Sequence, residues 1–209
     1  MTTYLVPAGY GEAEYIEKRS RFISRVWPIA SEAEALAHIE AMRKQHYDAT
    51  HNVYAYILRE NGIMRYSDDG EPSGTSGQPT LNVFRAEGIQ NVCCVVTRYF
   101  GGILLGAGGL VRAYSAAAKM GLDAAGVSEM AQWRSAEIGC SYAQFERVKR
   151  LLEEHSAVIE DSDFGVDVTF RALLREDVAD AFEAKLTDMS AGSAVCLFEG
   201  GCFRGVRIK

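Results

Sequence analysis

The stretch Asn91–Tyr114 reads NVCCVVTRYFGGILLGAGGLVRAY. Its first part, Val92 to Thr97, is a continuous apolar run rich in valine, the pattern of a strand covered on both faces. Gly101, Gly102, Gly106, Gly108 and Gly109 follow, and then Leu110 to Ala125, alanine-rich and with helical spacing. Strand, glycine-rich loop and helix start, in that order, can make an anion site. Glycines let backbone N–H groups approach a ligand closely, and the free N–H groups of a first helical turn point at it. Arg98 and Arg112 flank the loop, and Tyr99 lies between the strand and the glycines. The functional surface is expected here.

Upstream, Tyr4-Leu5-Val6 is extended and stopped by Pro7, and a strand is expected over Ile23–Trp27, ended by Pro28. Ser31 with Glu34 three positions later is a capping box, which predicts a helix to about Gln45. His51–Leu58 suits a strand, Asn61-Gly62 a tight hairpin turn, and Ile63–Tyr66 the returning strand. Ser67–Pro79, SDDGEPSGTSGQP, has no periodicity and reads as a long loop between two strands of one domain, a position that is usually functional. A short helix is expected around Thr80–Arg85.

Downstream of Ala124-Ala125-Gly126 the pattern alternates. Strands are expected at Trp133–Ser141, Ala157–Asp161, Val166–Leu173 and Ala194–Phe198 with Phe203–Ile208. Helices are expected at Gln144–His155 and Glu176–Met189, and a turn at Asp163–Gly165. That order is β-α-β-β-α-β, the ferredoxin-like split pattern. The chain is therefore read as α+β in two domains, residues 1–126 and 127–209.

Composition narrows the function classes. No apolar run approaches the roughly 18 residues that span a bilayer. No basic region precedes a long apolar core, so no signal peptide is expected. Five cysteines without a C-x-x-C, and four scattered histidines, point to a reduced, cytoplasmic protein with no structural zinc. Residues 127–209 carry 10 Lys+Arg against 15 Asp+Glu, a poor surface for a phosphate backbone and one better suited to a protein. No membrane partner and no sequence-specific DNA motif is expected.

Taken together, SDDGEPSGTSGQP and VVTRYFGGILLGAGGLVRAYS closely resemble the hallmark of the IMPACT family, in its bacterial YigZ-like branch. SRFI at Ser20–Ile23 and THNVYAY at Thr50–Tyr56 are similar to that family's opening motifs. These motifs cover roughly residues 15–125; Ser76 stands where the family pattern has alanine. The resemblance implies an N-terminal domain like domain 2 of ribosomal protein S5. It also implies a ferredoxin-like C-terminal domain similar to the end of elongation factor G. Eukaryotic relatives regulate translation by competing for the activator of an initiation-factor kinase through an additional N-terminal domain. That mechanism is not carried over.

Four constellations carry candidate chemistry. Backbone amides of Gly106–Gly109 with Arg98 and Arg112 can hold a phosphate of RNA or of a nucleotide, or simply make a tight turn. The loop is neither a P-loop nor a dinucleotide fingerprint. Asp68, Asp69 and Glu71, with Ser73 and Thr75 beside them, can coordinate Mg²⁺, or pair with the arginines and form Asx-turns. Ser73, Thr75, Ser76 and His51 lack a G-x-S-x-G elbow, and a Cys94–His51 pair would place its thiol inside an apolar strand. No catalytic residue is assigned.

The basic cluster Lys18, Arg19 and Arg21, with Arg25 and neighbouring aromatics, suits single-stranded RNA or is a solvated face. The leading expectation is a translation-associated, non-enzymatic protein that binds RNA or a ribosomal or translation-factor partner. The alternatives are a nucleotide-binding or phosphotransfer enzyme using Mg²⁺, and a protein-interaction module without a small ligand.

Overall fold

The computed structural model describes residues 3–209 and divides them into two units. One comprises Tyr4–Met130 with Gly205–Lys209; the other comprises Ala131–Arg204 together with Thr3.

At the centre of the first unit lies β6 (Val92–Tyr99). It pairs antiparallel with β3 (Ser20–Pro28) on one side and β4 (His51–Leu58) on the other. Outer strands β2 (Gly11–Glu17) and β5 (Ile63–Ser67) complete the order β2-β3-β6-β4-β5. Alternation explains the unbroken apolar run. Val92, Cys94 and Val96 enter one core with Phe22, Val26, Val53, Phe84 and Tyr114. Cys93 and Val95 enter a second core on the opposite face, against Ala35 and Ile39 of α1 (Glu32–Gln45). The first face is covered by α2 (Gly77–Ala86) and α3 (Ala107–Ala125).

The local signals act as their chemistry requires. Ser31 Oγ accepts from the Glu34 N–H at 3.3 Å, while the Glu34 carboxylate accepts from Ala30, one residue before the cap. Asn61 and Gly62 both take positive φ in a hairpin closed by the Leu58–Ile63 pair. β1 (Tyr4–Pro7) pairs with Val127–Met130.

In the first unit three expectations are corrected. Residues 11–17 form a strand that was not anticipated, closed onto β3 by a two-residue turn at Lys18-Arg19. The long loop stops at Ser76, because Pro79 sits in the first turn of α2, where its missing N–H costs nothing. Similarly, α3 starts at Ala107, so Gly108 and Gly109 are helical.

In the second unit, strand β7 (Val127–Cys140) contributes Trp133–Cys140, which pair with β9 (Val168–Arg175). In turn β9 pairs with β8 (Val158–Phe164), and β10 (Val195–Arg207) pairs with β7. The order β10-β7-β9-β8, with β9 antiparallel to both β7 and β8, is the ferredoxin-like arrangement. Val148 and Leu152 of α4 (Phe145–Glu154), with Phe182 and Leu186 of α5 (Glu176–Ser190), pack onto Ile138, Phe170 and Leu174. The β8–β9 turn falls after Phe164, two residues later than expected, since Phe164 pairs with Val168.

Two glycines set how closely α3 seats on the first sheet. A Cβ on Gly121 would lie 2.3 Å from Ser24 Oγ, and one on Gly11 would lie 2.2 Å from the Ala125 nitrogen. Gly11→Ala is therefore expected to lower stability by about 1–3 kcal/mol in urea unfolding, the usual cost of overpacking. Gly139→Ala, whose methyl meets nothing within 4 Å, should stay close to wild type. Equal stability of the two variants would refute this seating.

Candidate functional site

The acidic loop is built around Asp68. Its Oδ1 accepts from the N–H groups of Ser76 (3.1 Å) and Gly77 (2.8 Å) and from the Ser76 hydroxyl (2.7 Å). Its Oδ2 accepts from the Gly74 N–H at 2.8 Å. Asp68 thus closes the loop and caps the free amides at the start of α2, a placement that also favours negative charge. Burial alone would raise its pKa, but the hydrogen bonds from Gly74, Ser76 and Gly77 outweigh burial and hold the carboxyl below its ordinary value. Asp69 is similarly committed: Oδ2 accepts from the Asn52 N–H at 2.7 Å and Oδ1 meets Arg43 at 3.3 Å. Thr75 donates to the Pro72 carbonyl, while Ser73 is exposed.

Glu71 turns the other way, into the protein. Its side chain is only 3% exposed, and its charge is met by Arg98, 6% exposed, at 2.5 Å. The Tyr114 hydroxyl donates to the same oxygen, Oε1, at 2.8 Å. Burial, followed by the field of Glu71, pushes the Tyr114 hydroxyl far above its ordinary range, so it remains a donor. The Arg98 guanidinium also reaches Ser20 Oγ and lies over the rings of Phe22 (5.3 Å) and Phe100 (5.6 Å). His51 Nδ1 is 2.7 Å from the Asp69 carbonyl, which can only accept, so Nδ1 carries the proton. The ring's Nε2 faces Glu71 Oε2 at 3.7 Å.

The loop and the start of α3 do adjoin. Between them is a cleft of about 370 Å³ with His51, Glu71 and Arg98 in its floor. Pro72, Phe100, Leu104, Leu105 and Leu110 form its walls, and Gly106 and Ala107 bring the helix start to its rim. Gly106, at φ 70°, supplies the N-cap without any side-chain hydrogen bond.

Leu105 is shared with a smaller hollow of about 130 Å³, lined also by Tyr15, Lys18, Gly109 and Arg112. The two arginines are therefore not brought together: Arg98 lies under the first cleft and Arg112 beside the second. Lys18 and Arg19 stand exposed at the β2–β3 turn. Arg21 is paired with Glu14, and Arg25 is buried against Glu12. Tyr99 is held through its hydroxyl by His46 and Asp48. A Cβ on Gly101 would lie 2.1 Å from the Arg19 backbone, whereas Gly102 is open on all sides. Gly108 stacks one turn before Arg112.

Among the described residues no group of three or more His, Cys, Asp or Glu is placed to hold a metal ion. Burial pushes the Cys94 thiol up to about 12, so it is inert as a nucleophile. All five cysteines are free, and no helix of the described residues is long and apolar enough to cross a membrane. The pairing of the acidic loop with an arginine, one of the two readings of the sequence, is found between Glu71 and Arg98; the reading missed that Glu71 alone turns inward and that the buried Tyr114 hydroxyl meets it. The signal for the second was present: Tyr114 lies four residues after Leu110, on the same helical face.

Comparisons with known proteins agree with this architecture. The family model "Impact N-terminal domain" matches residues 18–122, and a "Domain of unknown function (DUF1949)" matches residues 138–193. The chain belongs to the IMPACT family. It is 37% identical to the IMPACT family member YvyE of Bacillus subtilis (strain 168), over 92% of this chain and 89% of that one. It is 34% identical to the member YigZ of Escherichia coli (strain K12), over 92% and 96%. A solved structure described as that of an hypothetical protein superposes with a TM-score of 0.59 at 34% identity, covering 94% of this chain and 97% of the other.

The site's electrostatics give two expected outcomes. Arg98→Met leaves a buried carboxylate unpaired and should cost about 3–5 kcal/mol in chemical denaturation. Glu71→Leu in the same chain should recover much of that loss, giving a clearly non-additive double-mutant cycle; additive losses would refute the pairing. Asp68, held below its ordinary value, contributes stability above that value and loses it as pH falls through the lowered one. Acid unfolding below about pH 4 should therefore be less steep in Asp68→Asn than in wild type.

Proposed function

We propose that this chain is a cytoplasmic, translation-associated protein whose first unit binds single-stranded RNA. Membership of the IMPACT family supports the link to translation, and the S5-like first domain that the family resemblance implies suits an RNA partner. The observation that carries the reading is the pair of hollows sharing Leu105. One presents Lys18 and Arg112, with Arg19 exposed next to Lys18, and suits backbone phosphates. The other is walled by apolar side chains with Phe100 half-exposed at its rim, and suits an unstacked base. Bases stack on aromatics at a gain of about 1–3 kcal/mol each, so one such contact beside a few phosphate contacts gives measurable affinity.

A nucleotide–Mg²⁺ enzyme is less well supported, because the carboxylates of Asp68 and Asp69 are occupied by backbone amides and Arg43. The second unit, with its acidic excess, is proposed as a protein-docking module.

Fluorescence anisotropy with a mixed-sequence single-stranded RNA tests the proposal. Binding should weaken steeply as salt rises, and Lys18→Ala with Arg112→Ala should weaken it by about tenfold at low salt, as loss of phosphate contacts implies. All these side chains are exposed, so the variant should fold as wild type. Absence of binding at low salt, or binding indifferent to the double variant, would refute the proposal.

A further inference from the structure

The end of β4 away from the cleft carries a second concavity. His51, the first residue of that strand, lines the cleft, whereas Ile57 and Leu58, its last two, lie in the floor of a pocket of about 240 Å³. Ile89 completes that floor, and all three side chains are buried. Arg59 and Arg85 also line the pocket, and both are exposed. Among the described residues neither enters an ion pair, and the Arg59 guanidinium rests over the Tyr4 ring at 4.5 Å. Two guanidinium groups without a carboxylate, set around an apolar floor, suit a ligand that joins carboxylates to one large apolar side chain.

Beside the pocket runs a free sheet edge. β5 is the last of five strands and pairs with β4 on one side only. Met64, which lines the pocket, and Tyr66 share one face of β5 and are 42% and 44% exposed. Sheets usually guard an edge with charge, proline or a covering element, and an edge left apolar is a template for another strand. We propose that β5 and this pocket together receive an extended acidic segment of another protein. The segment adds a sixth strand, places one large apolar side chain over Ile57, Leu58 and Ile89, and meets Arg59 and Arg85 with carboxylates. Main-chain pairing supplies affinity in this mode, and the pocket, filled from alternate positions, supplies specificity. An RNA phosphate would meet the arginines but would neither fill the apolar floor nor complete the edge. The surface is separate from the cleft and independent of the RNA reading.

The probe is a labelled heptapeptide with threonine at odd positions and glutamate, leucine and glutamate at the even ones, titrated with the full chain by fluorescence anisotropy. It is expected to bind at least tenfold more tightly than a counterpart with lysine for glutamate, or one with alanine for leucine. Arg59→Ala with Arg85→Ala should weaken it about tenfold, the worth of one charge-assisted hydrogen bond, and leave urea unfolding near wild type. Only one edge of an added strand faces β5, so two further peptides, N-methylated at the odd or at the even backbone nitrogens, should differ: one binds and the other does not. Binding by both methylated peptides, equal binding of either counterpart, or no binding at millimolar peptide overturns the proposal. So does weaker RNA binding by the arginine double variant, because the two side chains would then serve phosphates. A chain that dimerises alone, and whose dimer the same variant dissolves, also overturns it, since the edge would then receive a second copy.

Discussion

A carboxylate taken out of water must be neutralised where it lies, and Glu71 meets that requirement with three elements at once. Its partner Arg98 comes from the central strand, Tyr114 from the long helix, and Glu71 itself from the loop that precedes α2. The attraction is worth little net stability, because two charges lose their hydration to form it. Its effect is to fix position. Removing either partner strands the other in a low-dielectric interior, so the loop can lie only where Glu71 meets Arg98. Asp68 fixes the loop's other end by satisfying amides that α2 cannot satisfy itself. Between these two anchors the nine residues 68–76 hold one shape with little apolar burial of their own.

Much of this architecture was legible because each local signal agreed with the whole. The apolar run at Val92–Thr97 can only be a strand covered on both faces, and the opposed cores of Cys93 and Cys94 follow from its two-residue period. β2 was missed although Gly11–Glu17 alternates, because its inward positions are alanine and tyrosine rather than branched aliphatics. The roles of the three acidic residues were not legible. Spacing shows three carboxylates on one loop, but not that the donors to Asp68 are backbone groups six to nine residues ahead. Nor does it show that only Glu71 turns inward. Arg112 was drawn to the same surface as Arg98 by nearness in sequence. Helical geometry decides otherwise: Arg112 lies two residues, about 200°, beyond Leu110, and so faces away from the cleft that Leu110 lines.

The turn at Lys18-Arg19 is where sequence reasoning and structure differ most usefully. A two-residue hairpin asks for positive φ at both central positions, which is why asparagine and glycine dominate there. Here a lysine at 45° and an arginine at 68° take those places, each at a cost in backbone strain. Gly101 packs directly on the backbone of Arg19 and Ser20, at a distance no side chain allows. The glycine-rich segment therefore does two jobs: Gly106 starts the helix, and Gly101 braces the strained turn. Substituting the turn residues by Asn-Gly would relieve strain and remove both charges, so the fold alone gives no reason to keep them. What they supply is position, since Lys18 stands with Arg112 over the hollow that shares Leu105 with the cleft. In the proposed complex this separates the two tasks of RNA recognition: phosphates meet charge on one side of Leu105, and a base meets shape on the other.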